Sequence, residues 1–474
     1  PDRHAWLVQL MEGVEDIPGT ALHEGIRWAW ESFPEYLDAV ATMDRAADVA
    51  AQLPHGALRT YVMGERGADD EPATAEDLAA MAALVEQAAR AGAVGFSTNR
   101  LPAHTARDGR PVPGTTASEE ELFAIGRALA AGGGGVVQVV SSEGFGTQAG
   151  GYRRDVDWLS RLSRETGLRT TIALSQNLNA PELWRDVLAW VDEANASGAT
   201  VVPQCAGRPL GLLFTLGSRH PFEGIPAYEE VAHLPLDERA RALADPDRRA
   251  RILAEPRRSV GVLAGRLPDK LFPLATPDYE PAPETSVAAL AATSGRSADD
   301  VLYDLLLEDE GRRMVLFTLG GYAHGDAGHV VEMMEHPATI LGLADGGAHC
   351  SLICDASVTT SMLSHFVRDR SRGPRLALET AVHKMTGATA ALYGFADRGV
   401  LTPGRRADLN VIDLDRLGLH LPEVAHDLPT GARRLVQRAS GYVMTAVAGV
   451  AVTEQDEDTG ARPGRLVRRP GAVR

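Results

Sequence analysis

Residues 74–97 read TAEDLAAMAALVEQAARAGAVGFS, and this stretch carries the pattern on which the fold rests. Thr74 with Asp77 three residues later has the form of a capping box, Asp standing in for the usual Glu. Leu78, Met81, Leu84, Val85 and Ala88 then recur at helical spacing, so the segment predicts a helix with one apolar face that stops at Gly92. The run Ala93 to Ser97 follows at once and reads as a buried strand.

The same unit repeats on either side. Ser118 and Glu121 form a second start signal, Leu122, Ile125 and Leu129 a second stripe, and Gly132 to Gly135 a stop before the strand run Val136 to Val140. Further on, Val156, Leu159 and Leu162 lead through Gly167 to the run Thr170 to Leu174. Pro181 then opens a helix that ends at Gly198, before Thr200 to Val202. Adding Leu58 to Met63, Met314 to Leu319 and Thr339 to Ala344 gives seven candidate parallel strands. Parallel strands joined by helices belong to a (β/α)8 barrel or a doubly wound sheet. A Gly-x-Gly-x-x-Gly turn and a phosphate loop are both absent, which favours a TIM-type barrel, here short of its first strand. A barrel so interrupted would leave two unpaired edges.

Residues 206–310 are rich in Pro and Arg and too long for an ordinary connection, so they are expected to be an insertion over the barrel mouth. From residue 398 the texture changes to short strands punctuated by Gly and Pro. The expected division is therefore a barrel over residues 1–397 and a small C-terminal β-sandwich portion over 398–474, with Arg462 to Arg474 as a frayed, solvated tail.

Composition narrows the function classes. The chain has 474 residues, 44% hydrophobic and 23% charged, which is ample for a large core. Its 64 acidic against 47 basic residues give a net charge of -17, which disfavours nucleic acid and anionic membrane surfaces as partners. Three cysteines are too few for a disulfide framework, and no secretory or membrane-spanning segment is evident, so a cytoplasmic location is expected. Because Pro1 enters without a strand or cap, the chain is also expected to begin inside a larger natural sequence.

Four separated motifs, RGVLTPGRRADLNVID (398–413), LRTYVMG (58–64), GAVGFST (92–98) and HPATILGLADGG (336–347), are collinear with one known pattern. The chain resembles the amidohydrolase superfamily, in its D-aminoacylase or N-acyl-D-amino-acid deacylase branch. The resemblance implies an eight-stranded barrel with zinc at the carboxyl ends of the strands, a metal-activated water that attacks an amide, and an aspartate that carries the proton to the leaving amine. Asp345 matches that aspartate. It also ends an apolar run at a strand tip, where barrel active sites sit, although an Asp-Gly-Gly turn would equally use it. The substrate implied is a small N-acyl amino acid, with self-association left open.

The departures from the family pattern are specific. No His-x-His pair or cysteine ligand precedes the first helix, and the middle strands read TIALSQ (171–176) and VVPQCA (201–206), without histidine. Where the family shows His-x-Arg-x-Glu, this chain reads VVSSE (139–143) and keeps only Glu143. A conventional zinc site cannot be assembled from these residues. Glu143 and His349 are the remaining candidate metal ligands, weighed against a solvated loop acid and a backbone-satisfied histidine. Arg100 and Arg208, each following a strand, are candidates for a substrate carboxylate, against the plain alternative of surface charge. His324 and His329 lie in a Gly-bounded loop, Cys350 and Cys354 read as small buried residues, and Ser97 lacks the Gly-x-Ser-x-Gly elbow. Two rival readings remain: a glycoside hydrolase using Glu143 and Asp345, and a degenerate barrel that binds small acyl compounds without turning them over.

Overall fold

The structure is a computed structural model that describes residues 4–106, 108–143, 149–255, 268–344 and 346–472. In chain order its first strands are β1 (Gln52–Pro54), β2 (Gly95–Asn99), β3 (Val136–Val140), β4 (Arg169–Leu174), β5 (Val201–Ala206), β6 (Leu210–Phe214), β7 (Leu271–Pro273), β8 (Val315–Gly320) and β9 (Ile340–Gly342). Among the described residues, six of these form one parallel sheet in the order β1-β2-β3-β4-β5-β9, with β1 and β9 at its edges.

The signals in residues 74–97 are realised as read. Helix Ala75–Ala91 starts at Thr74, whose hydroxyl accepts from Asp77 N while the Asp77 carboxylate accepts from Thr74 N. It ends at Gly92, which takes φ 107, a conformation that costs only glycine nothing. At Gly95 the neighbouring strand comes so close that a Cβ would lie 2.1 Å from Val136 O. A side chain there would push β2 and β3 apart.

Phe96, Val137, Val139, Ile172, Leu174 and Cys205 face the surrounding helices in the main core, together with Met81, Val85, Leu122, Ile125, Leu159 and Leu162. Alternation along each strand turns Ser97, Gln138, Thr171 and Gln204 to the other face. There Gln138 Oε1 accepts from Gln52 Nε2 at 3.2 Å and from Gln204 Nε2 at 3.5 Å, and Gln52 also reaches Tyr393 OH at 2.9 Å. A smaller apolar cluster of Val136, Ile340 and Leu392 lies at the start of these strands.

Three expectations are corrected. Leu58 to Met63 is not a strand but part of helix His55–Met63. Its buried positions His55, Leu58, Arg59, Thr60 and Met63 follow helical spacing, and Tyr61 is exposed. Met314 to Leu319 does form a strand, β8, but outside the parallel sheet: it lies between β6 and β7 in an antiparallel three-stranded sheet. This part of the chain has its own core of Phe214, Phe222, Tyr228, Leu302 and Phe317. Periodicity cannot distinguish a buried strand in one sheet from one in another. The Arg-rich tail, lastly, is docked and not frayed. Val467 N donates to Val49 O at 2.7 Å, and Arg465 N to the Asp48 carboxylate at 2.8 Å.

In the C-terminal part, β10 (Leu409–Ile412) pairs antiparallel with Tyr442–Val447, which pairs in turn with Val450–Glu454 and then Glu457–Asp458. Two short antiparallel pairs, Gly418–Leu419 with Ala439–Ser440 and Glu423–Leu428 with Ala432–Val436, accompany this sheet. Among the described residues no helix is long and apolar enough to cross a membrane.

Candidate active site at the carboxyl edge of the parallel sheet

All six strands of the parallel sheet point the same way, so the residues that follow them converge on one edge. After β1 comes His55, after β2 Arg100 and His104, after β3 Ser141 to Glu143, after β4 Gln176, after β5 Arg208, and after β9 the segment to His349. Asp345, the expected proton carrier, falls on this edge in sequence but lies outside the described residues.

His349 sits at φ 44 in the loop after β9, and its ring lies 5.6 Å from that of His104. Burial, then the neighbouring His349, lowers the His104 pKa to about 4. Asp16 stands close by: Cys350 N donates to Glu15 O and Arg219 approaches the Asp16 carboxylate at 3.7 Å. Burial raises the Asp16 carboxyl above its ordinary value, against the opposing pull of Arg219 and His349. Sequence reading missed His104 and Asp16, because the closest approach of the two histidines joins loops some 245 positions apart (349 − 104).

Glu143 is half-buried, its N–H donating to Ser141 Oγ at 3.3 Å and its carbonyl accepting from Asn177 Nδ2 at 3.5 Å. Its side chain lies over Gly151, where a Cβ would meet Glu143 Cγ at 1.8 Å. Ser141 Oγ donates to Asp155 Oδ2 at 2.7 Å, and Trp158 Nε1 to Asp155 Oδ1 at 3.0 Å. Arg100 joins the same carboxylate, with Nε 3.6 Å from Asp155 Oδ1 and Nη1 donating to Ala117 O at 2.9 Å, and its side chain stays 20% exposed.

Arg208 is enclosed. It donates to Ser357 Oγ at 2.9 Å and to Cys354 O and Asp355 Oδ1 at 3.1 Å each, and its guanidinium stacks 3.6 Å from the Tyr279 ring centre. Of the loop histidines, His324 pairs with Glu182 at 2.7 Å on the surface, whereas His329 is buried in a helix. Cys350 and Cys354 are buried free thiols, as their spacing suggests.

A second cluster behind β1 was hidden by its own capping signal. Ser118 caps helix Glu119–Ala131 as expected, but Glu121 does not reach back to it. Instead Glu121 turns inward: His55 Nε2 meets Glu121 Oε1 at 2.8 Å, Arg59 donates to Glu121 Oε2, and His55 Nδ1 lies 2.8 Å from Thr98 Oγ1. Burial raises the Glu121 carboxyl, but His55 and Arg59 outweigh it and hold the group below its ordinary value. His55, Arg59, Thr98 and Glu121 are all nearly inaccessible, so this cluster fastens helix His55–Met63 to β2 and to helix Glu119–Ala131.

The described residues alone do not supply a complete donor set for the metal implied by the resemblance. Among the described residues no three His, Cys, Asp or Glu side chains form a group that could hold a metal ion, so Glu143 and His349 are not joined in one. His104 and His349 offer two imidazoles, whereas zinc takes at least three protein ligands.

With this geometry in place, comparison with known proteins is informative. Residues 2–453 match the model of the amidohydrolase family, and the chain belongs to that family. It is 27% identical over 462 residues to a D-aminoacylase of Alcaligenes xylosoxydans xylosoxydans, covering 96% of this chain and 77% of that one. It is 26% identical to an N-acyl-D-glutamate deacylase of the same organism, over 92% of this chain and 73% of that one. Among solved structures, D-aminoacylase aligns with a TM-score of 0.57 at 24% identity, over 92% of this chain and 75% of the other. The N-acyl-D-glutamate deacylase of Bordetella bronchiseptica, solved with zinc and a phosphonate inhibitor, aligns at 0.55 and 23%, over 92% and 75%. These two likenesses bear on the fold, which the chain shares.

Proposed function

We propose that the protein hydrolyses the amide bond of a small N-acyl amino acid, of the D series, at the carboxyl edge of its parallel sheet. The observation that carries this reading is the match to the amidohydrolase family along residues 2–453, together with relatives whose names specify D-aminoacylase and N-acyl-D-glutamate deacylase.

In this reading Asp345 takes the proton from the attacking water and delivers it to the leaving amine. Glu143 and His349 contribute polar groups from the loops after β3 and β9, and the partly exposed Arg100 meets the substrate carboxylate. Arg208, already engaged by Asp355 and Ser357, holds the loop after β9 in position. The described residues do not fit zinc on their own, so each role assigned here is one of hydrogen bonding, charge or proton transfer. The division into a barrel over 1–397 and a C-terminal β portion over 398–474 belongs to the same reading.

The test is a panel of N-acetyl amino acids of both hands, with free amine measured after incubation with the full chain. Release from D substrates and not from L substrates is expected. Absence of release from every member overturns the reading, in favour of a barrel that binds without catalysis.

A further inference from the structure

A pocket of about 440 Å³ opens between residues 276–280, the helical stretch 361–372 and the short strand Gly418–Leu419. Glu143, His349, Arg100 and Arg208 are not among its lining residues, and the function proposed above makes no use of it. Its volume is within the range of small-molecule sites, roughly 300–1,000 Å³.

Inside it, His365 Nε2 lies 2.7 Å from Glu280 Oε2. Glu280 is 3% exposed and is gripped from behind, with Arg370 donating through Nε at 2.9 Å and Nη2 at 3.0 Å, and Ala327 N at 2.8 Å. An ionised carboxylate only accepts hydrogen bonds, so the proton between the pair sits on His365 Nε2, and in the neutral ring Nδ1 carries the lone pair. His365 Nδ1 has no hydrogen-bond partner among the described residues, and the side chain is 29% exposed.

Ser361 lines the same pocket one helical turn earlier, on a stretch that changes from α to π hydrogen bonding over Met362–Asp369. Residues four apart on such a helix share a face, and π segments are frequent at functional sites. The Ser361 hydroxyl likewise has no hydrogen-bond partner among the described residues, His365 included, and the residue is buried, 4% exposed, with access only from the pocket it lines. A hydroxyl, an imidazole and a carboxylate that orients the imidazole are the parts of an activated nucleophile, whose serine-to-base contact is often loose before substrate enters.

We propose that Ser361, His365 and Glu280 form a second hydrolytic site, which cleaves small carboxylic esters through an acyl-serine intermediate. Ser361 Oγ bonds to the acyl carbon while its proton passes to His365 Nδ1. The bond from that carbon to the alcohol oxygen breaks, and the departing oxygen takes the proton from His365. Water, losing a proton to the same nitrogen, then adds to the acyl carbon, and Ser361 Oγ leaves with that proton restored. The cycle consumes only ester and water. Glu280 acts as a positioning residue, fixing the tautomer and the angle of the ring.

The experiment is labelling of the full chain with a fluorophosphonate probe, with the modified peptide located by mass spectrometry. The expected result is a covalent adduct at Ser361, absent in Ser361→Ala, formed at least tenfold more slowly in His365→Gln and in Glu280→Gln, and partly restored by Glu280→Asp. An unlabelled Ser361 in the wild-type chain overturns the proposal. So does a labelling rate that is the same in wild type and His365→Gln, a comparison that stands even if the Ser361 or Glu280 variants fail to fold. Labelling does not depend on amide turnover, so failure here leaves the reading of the barrel edge untouched.

Discussion

His104 and His349 face one another across the carboxyl edge of the parallel sheet, with ring centroids 5.6 Å apart and planes at 44°. Burial and the neighbouring imidazole keep His104 neutral down to a pKa of about 4, against an ordinary value of 6.5. A histidine held neutral in the folded state binds fewer protons there than in the unfolded chain, so stability falls as pH drops from about 6.5 towards 4. Replacing it, as in His104→Gln, is expected to flatten that limb of the stability curve, measured by urea denaturation at a series of pH values. An unchanged slope would mean that the ring is already accessible to solvent.

Glu280 gives the opposite window. Burial pushes its carboxyl up, but hydrogen bonds from His365, Arg370 and Ala327 N outweigh this and hold it at about 2. The stability this contributes is present above the ordinary value of 4.5 and is lost as pH falls from there to about 2. Glu280→Gln should therefore be less stable than wild type at neutral pH and converge with it under acid, as followed by circular dichroism.

Asp48 ties together three distant parts of the chain. Its carboxylate accepts from Arg398 at 2.8 Å, from Arg406 at 3.0 Å and from Arg465 N at 2.8 Å. Asp48→Ala removes one of the carboxylates that hold these two largely enclosed guanidinium groups, leaving Arg406 with Asp408 and Arg398 with Asp397, and is expected to cost about 2 kcal/mol in chemical denaturation. A loss under about 0.5 kcal/mol would place these pairs with ordinary surface ion pairs.

The Arg-rich end serves as a clasp. Arg468 Nη1 donates to Ala91 O at 2.6 Å, and Arg469 Nη2 to Gly132 O at 3.3 Å, so the two cations sit at the carboxyl ends of helices Ala75–Ala91 and Glu119–Ala131. Positive charge there complements the helix dipole and caps open carbonyls. Removing residues 465–474 should lower the thermal midpoint by several degrees, and high salt should narrow the difference.

How much was legible in advance follows from the range of each interaction. The helix from Thr74 to Gly92 was legible because its start, face and stop are all local. The β-strand alternation around it was legible for the same reason. Glu121 was misleading because it satisfies the local capping pattern while its carboxylate is claimed by His55 and Arg59, more than sixty residues upstream. The strand at Val315–Gly320 was visible as a strand, but its partner sheet depends on residues 210–214 and 271–273, which no periodicity reports. Even the tail misled, since a run of arginines reads as solvated until Asp48 and the helix ends are seen to receive it. At the carboxyl edge of the parallel sheet the sequence offered no sign of His104, because a lone histidine in a Pro-containing loop carries no signal of its own.

The most direct test of the account compares wild type with Asp345→Asn on an N-acetyl-D-amino acid, with released free amine measured and the thermal midpoints matched. The account predicts turnover by the wild type and a loss of about 10²–10⁴-fold in the variant, the range for removal of a general acid–base group. Equal rates in the two proteins, or no turnover by the wild type, would contradict it.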